Sequence, residues 1–194
     1  GNSNSLTIPT LASGWSSTNI GSLSGSCTQK LGNDYILKSN GSLGGAANDN
    51  IHYVYKQLSG NFTMIIKLSS ITSTDGNRSG IMLRNSLDPK AVDFSLFQDG
   101  NSYVGTYRRE SQGADNLFSG FQQGVNNNTW LKLQRVGQQL HYYYSTNAGA
   151  TWQSGFSLVN GASIPQTLSN LNSTIYLGLV TWGNTNQSTF SNLS

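Results

Sequence analysis

Apolar and polar residues alternate with a period of two along many short segments of this chain. In residues 130–134, Leu131 and Leu133 fall on one face and Trp130, Lys132 and Gln134 on the other. Ile81 and Leu83 oppose Met82 and Arg84 in the same way, which makes the leucines and Ile81 core candidates. The pattern predicts strands over 34–38, 51–56, 62–68, 80–84, 94–98, 102–108, 130–135, 140–145 and 175–181. Ser59-Gly60-Asn61, Asp99-Gly100-Asn101, 124–128 and Asn147-Ala148-Gly149 separate them, with the residue types that tight hairpins need for positive φ. No segment has the period of an amphipathic helix. The prediction is all-β: about a dozen strands in an antiparallel two-sheet sandwich or jelly roll. Alternation also sends Tyr143 to the face opposite Tyr142 and Tyr144, so part of this aromatic run belongs to the core.

Composition adds limits to this picture. A length of 194 residues suits a single sandwich domain over 1–194, with 1–14 as an N-terminal strand or linker remnant. Hydrophobic residues at 36% can fill one core, while charged residues at 10% leave a surface of Asn, Ser, Thr and Gly. The net charge of +3 and pI near 9.0 are spread along the chain, and Arg108-Arg109 is the one adjacent basic pair. Nucleic acid is therefore not an expected partner. No apolar run reaches the roughly 18 residues of a membrane-spanning helix, so no membrane partner is expected either. Cys27 stands alone and has no internal disulfide partner. The start lacks Met and a signal-peptide pattern, and reads as a piece excised from a larger protein.

Several stretches resemble a known family: Asp49-Asn50-Ile51-His52-Tyr53-Val54-Tyr55, Leu58-Ser59-Gly60-Asn61-Phe62-Thr63, 80–84, Tyr107-Arg108, 130–135 and 145–152. The order of these segments resembles concanavalin A-like lectin/glucanase sandwiches of the laminin-G-like kind. Within that group it is similar to the regulation-of-enolase-like domains attached to bacterial polysaccharide-degrading proteins. The resemblance implies a carbohydrate ligand, a secreted or cell-surface location, and other domains of a multidomain protein as partners. It does not by itself separate lectins from glucanases and adhesion domains. Structural calcium is common in the superfamily, but no Asp-rich loop here has regularly spaced ligands to assign it.

The carboxylates argue for binding over hydrolysis. Retaining glycosidases hold two of them about 5–5.5 Å apart, and the glucanase members of the superfamily carry a Glu-x-Asp-x-x-Glu pattern. This chain has one glutamate, Glu110, and Asp93 and Asp99 on one strand would stand roughly 20 Å apart. His52 and His141 have no partners at metal-ligand spacing, and no Gly-x-Ser-x-Gly elbow occurs. The expectation is a non-catalytic carbohydrate-binding module with no catalytic or metal residue. The alternatives are a structural or adhesive domain packing on a catalytic domain or protein partner and, ranked lower, a glycoside hydrolase. The expected ligand-binding residues are Trp182 for stacking, Arg84 and Arg108 on a non-core face, Asp49 and His52 for polar contacts, and Trp152 as a secondary candidate.

Overall fold

A computed structural model describes residues 11–29, 34–43, 48–72, 74, 76–125 and 128–194, so most of the expected remnant at 1–14 and part of the 124–128 turn lie outside the described residues. The described chain is all-β. It contains β1 (Ser16–Ile20), β2 (Gly25–Gln29), β3 (Tyr35–Ser39), β4 (Ile51–Ser59), β5 (Phe62–Ile71), β6 (Arg78–Arg84), β7 (Asp93–Asp99) and β8 (Tyr103–Arg109). The rest are β9 (Leu117–Gln123), β10 (Thr129–Val136), β11 (Gln139–Ser145), β12 (Ser157–Leu158), β13 (Gln166–Thr167), β14 (Thr174–Trp182) and β15 (Asn186–Ser191). Two antiparallel sheets result, in the orders β1-β4-β14-β6-β7-β8-β9-β12 and β13-β11-β10-β5-β15-β3-β2.

The inner faces follow the alternation. Leu131 and Leu133 on β10, Ile81 and Leu83 on β6, and Leu177 and Leu179 on β14 meet Met64, Ile66, Leu68, Tyr142 and Phe190 in one core. Tyr142 and Tyr144 face this core while Tyr143 lies outside it. The predicted strands shift by a few residues at their ends. The polar strands β2 and β15 and the glycine-interrupted β9 carry too few apolar side chains to show a period of their own.

Two turns differ from the hairpin expectation. Ser59-Gly60-Asn61 passes the chain from one sheet to the other, because β4 and β5 belong to different sheets. In Asp99-Gly100-Asn101 the positive φ falls on Ser102. Gly100 is required for a different reason: a Cβ there would stand 2.5 Å from the Thr74 carbonyl oxygen and 2.7 Å from that of Thr72. Close approach of a neighbouring loop, not turn geometry, excludes a side chain at that position.

The outer face of the eight-stranded sheet departs most from a simple sandwich. Ile20, Ile51, Tyr53, Met82, Phe97, Val180 and Trp182 form a second apolar cluster there, with Leu43 and Leu87 arriving from loops to cover it. The sheet is thus buried on both sides over part of its area. The seven-stranded sheet leaves its outer face half-buried or exposed along β5, β10 and β11.

Candidate ligand-binding site

Four charged side chains lie at one end of the outer face of the eight-stranded sheet. The register places Arg109, Asp93 and Arg84 side by side on β8, β7 and β6. Asp49 enters from the loop before β4. Nη1 of Arg84 donates to Asp49 at 2.6 Å, and Arg109 donates to both Asp49 oxygens, at 2.9 and 2.7 Å. Arg109 Nη1 also lies 3.2 Å from Asp93 and shares its hydrogens with the carbonyls of Pro89 and Ala91, while Nε donates to that of Ala114. Arg84 holds the Asp88 carbonyl in the same manner, at 2.8 Å. Both arginines and both aspartates are fully buried. Burial, with the Asp49 charge beside it, pushes the Asp93 carboxyl well above the usual carboxylate range. The cluster fastens the loops at 85–92 and 110–116 to the sheet.

Arg84 and Asp49, proposed from sequence as ligand contacts, are therefore brought together but face no solvent. Arg108 was expected on the non-core face and lies instead on the inner one, in register with the core residue Phe94. There it binds Glu110 and Ser119, each at 2.6 Å, and the Asn160 carbonyl. The arginine on the outer face is its neighbour Arg109. His52 is also buried, with Nδ1 2.7 Å from Asn19 Oδ1 and Nε2 3.2 Å from the Ser17 hydroxyl. These partners fit a neutral ring that donates from Nδ1 and accepts at Nε2. Burial pushes its pKa down to about 4. Trp152 stands apart from all of these on the other sheet, half-buried, with the Lys132 ammonium 4.3 Å from its ring.

Trp182 is on the outer face of the eight-stranded sheet, at the opposite end from Arg84. Tyr176 pairs with Arg84 and Trp182 with Arg78, six residues further along, or roughly 20 Å. Its indole does not present a free face, being 1% exposed and packed edge-on against Phe97 at 5.2 Å between ring centres. Its Nε1 has no hydrogen-bond partner among the described residues.

Arg78 is the arginine that reaches solvent at this end, and the sequence reading missed it. Its Nη2 donates to the Tyr103 hydroxyl at 2.7 Å, and its Nε lies 3.0 Å from an oxygen of buried Asp99. The guanidinium sits 5.5–5.9 Å from the rings of Phe97, Tyr103 and Tyr107. Its side chain keeps 17% exposure, and Nη1 has no hydrogen-bond partner among the described residues. A depression of about 230 Å³ opens beside it, lined by Arg78, Trp182, Gly183, Asn184, Ser42 and Leu43. Through Ser42 and Asn184 this continues into an open trough walled by Ser22, Ser24, Asn40 and Asn50. On the other side of Arg78, aromatic contacts run from Tyr107 to Phe118 at 5.4 Å and on to Phe121 at 5.8 Å. Tyr103, Tyr107, Phe118 and Phe121 are all half-buried.

The arrangement combines a planar cation held in place, amide and hydroxyl groups, and a row of partly open rings. It suits a ligand with both hydroxyls and apolar faces. Among the described residues, no group of three or more His, Cys, Asp or Glu side chains could hold a metal ion.

Two antiparallel sheets packed face to face define an all-β sandwich. No family model and no curated protein sequence matches the chain. Solved structures share its fold. A functionally unknown protein from Saccharomyces cerevisiae superposes with a TM-score of 0.63 at 17% identity, covering 91% of this chain and 97% of its own. The carbohydrate binding module CBM66 from Bacillus subtilis gives 0.58 at 17% identity, covering 93% of each chain. The GH43 protein BlXynB from Bacillus licheniformis gives 0.56 at 15% identity, over 85% of this chain and 34% of that one. At such identities the likeness concerns the fold.

Proposed function

We propose that this chain is a non-catalytic carbohydrate-binding module whose ligand site is the depression between Arg78 and Trp182. The observation that carries the proposal is the open guanidinium of Arg78, fixed by Asp99 and Tyr103 and continuous with the half-buried rings of Tyr107, Phe118 and Phe121. A sugar unit in the depression places ring hydroxyls against Nη1 of Arg78 and the amide of Asn184. The next units lay their C–H faces on the aromatic row. The indole N–H of Trp182 is the donor that a hydroxyl entering beside Leu43 would satisfy, in place of the stacking role expected from sequence.

The neighbour in Bacillus subtilis, named a carbohydrate binding module, supports this reading, as does the presence of a similar sandwich as one part of a GH43 protein. A secreted or surface-attached bacterial polysaccharide-degrading protein is the parent we infer. Hydrolysis is less well supported, because Glu110 is bound to Arg108 while Asp93 is sealed beside Arg84 and Arg109 on the opposite face of the sheet.

Affinity electrophoresis and calorimetry against neutral plant, algal and bacterial polysaccharides test the proposal. Arg78→Lys keeps the charge opposite Asp99 and loses the fork. Phe121→Ala removes a peripheral ring. Each is expected to weaken retention about tenfold, equivalent to ~1.4 kcal/mol, while the protein stays folded at the assay temperature. Retention unchanged in both variants, or no retention of the folded protein by any polysaccharide, would overturn it.

A further inference from the structure

The seven-stranded sheet has an outer face of a different character. Trp130 on β10 lies opposite Lys67 on β5, and Lys132 lies between Tyr143 on β11 and Ile65 on β5. The Lys132 ammonium is enclosed by two rings, 4.4 Å from the centre of Tyr143 and 4.3 Å from that of Trp152. Trp130, Tyr143 and Trp152 are all half-buried, so three large rings and two ammonium groups share one open surface. Lys38 extends it on β3. No strand of this sheet contains an aspartate or a glutamate, whereas β7 of the other sheet carries Asp93 and Asp99.

The cation–π contacts with Tyr143 and Trp152 hold the Lys132 ammonium in place but occupy none of its three hydrogen-bond donors. Lysine on an edge strand blocks pairing with another chain, but β5 and β10 lie in the interior of the sheet order. Lys132 has no ion pair and no hydrogen bond among the described residues, so its three donors are left for a partner. Lys67 and Lys132 stand diagonally across the β5–β10 pair, about 7–8 Å apart, with Trp130 beside them.

We propose that this face is a second binding surface, which takes an acidic polysaccharide. A sugar ring lies on Trp130, beside the ammonium that Tyr143 and Trp152 hold, and carboxylate or sulfate groups reach Lys132 and Lys67. The partner is acidic because the strands of the face supply cations and no carboxylate. It is a glycan and not a nucleic acid because the cations are few, lie between flat rings and follow no groove that would track a phosphate backbone. The inference stands independently of the Arg78 depression, on the opposite sheet.

Affinity electrophoresis with polygalacturonate, its fully methyl-esterified form and heparin tests it, with single-stranded DNA as a further probe. The expected result is retardation by polygalacturonate or heparin. It should be at least tenfold weaker with the ester, with DNA, and in Lys132→Met or Trp152→Ala, and unchanged in Phe121→Ala on the other sheet. Lys132→Met keeps an unbranched apolar stem between the rings, and Lys132→Gln serves as the second variant if its thermal midpoint falls. Four results would each overturn the proposal: no retardation by either acidic polymer, equal retardation by acid and ester, DNA binding as tight as that of the polysaccharides, or undiminished binding by both lysine variants. Loss in Phe121→Ala alone would instead assign acidic glycans to the Arg78 site.

Discussion

Asp49→Asn is the sharpest test of the idea that the buried charge cluster is a fastener and not a ligand site. One carboxylate oxygen of Asp49 accepts from Arg84 at 2.6 Å and from Arg109 at 2.9 Å. The other accepts from Arg109 at 2.7 Å and from Asn116 at 2.9 Å. Asparagine keeps the shape and one acceptor oxygen but removes the charge, leaving two buried guanidiniums to share Asp93. Removing one partner of a buried ion pair costs ~3–5 kcal/mol, and Asp49 serves two cations, which places the expected loss toward the upper end. Against a total stability of ~5–15 kcal/mol this is a large fraction. Urea unfolding at pH 7, followed by tryptophan fluorescence, would measure it. A loss below about 1 kcal/mol would refute the reasoning, since it would mean that water reaches the cluster and screens it. The double variant Asp49→Asn/Arg84→Met restores one cation to one anion, Arg109 with Asp93. It is expected to recover part of the loss, and simply additive losses would count equally against the cluster as a closed unit.

Two further outcomes follow from the site's surroundings. The buried His52, its pKa pushed down to about 4 from 6.5, stays neutral over a range in which the unfolded chain binds a proton. Its contribution is therefore fully present above about pH 6.5 and is lost as pH falls toward 4, by up to roughly 3 kcal/mol. The stability difference between the wild type and His52→Asn should narrow between pH 7 and pH 4.5 in urea titrations, and a constant difference would contradict the assignment. Gly183 has φ of +121°, and a Cβ there would stand 2.3 Å from Asn77 Oδ1 and 2.6 Å from Asn77 Cα. Gly183→Ala is expected to lower stability by about 1–3 kcal/mol in thermal unfolding. It should also weaken sugar retention, because the Gly183 amide bonds the Gly41 carbonyl at 2.8 Å and so closes one wall of the depression.

The inner faces of the sandwich were legible in the chain because one strong rule governs them: in β6, β10 and β14 alternate residues are aliphatic and buried. The outer faces obey no such local rule. Met82 and Arg84 were placed correctly on the non-core side of β6, yet both are fully buried, because Leu43, Leu87 and the 85–92 loop come from elsewhere in the chain to cover them. On β8 the outer residues Tyr103 and Tyr107 are larger than the inner Val104 and Thr106, so size does not mark the core side, and Arg108 points inward while Arg109 lies on the outer face. Arg78 was missed because the apolar segment starts at Gly80, two residues into β6. Its pairing with Trp182 also depends on β6 and β14 being neighbours, which no local pattern encodes. Trp182 was therefore recognised as unusual for its place beside Gly183 and Asn184, but its role depends on a partner visible only in the folded sheet. Lys132 is the opposite case, since simple alternation already placed it outward beside Trp130. Its neighbours across both strands are Tyr143 and Ile65, so within the sheet the ammonium meets the faces of Tyr143 and Trp152 and no carboxylate, a pairing that only the folded register brings about.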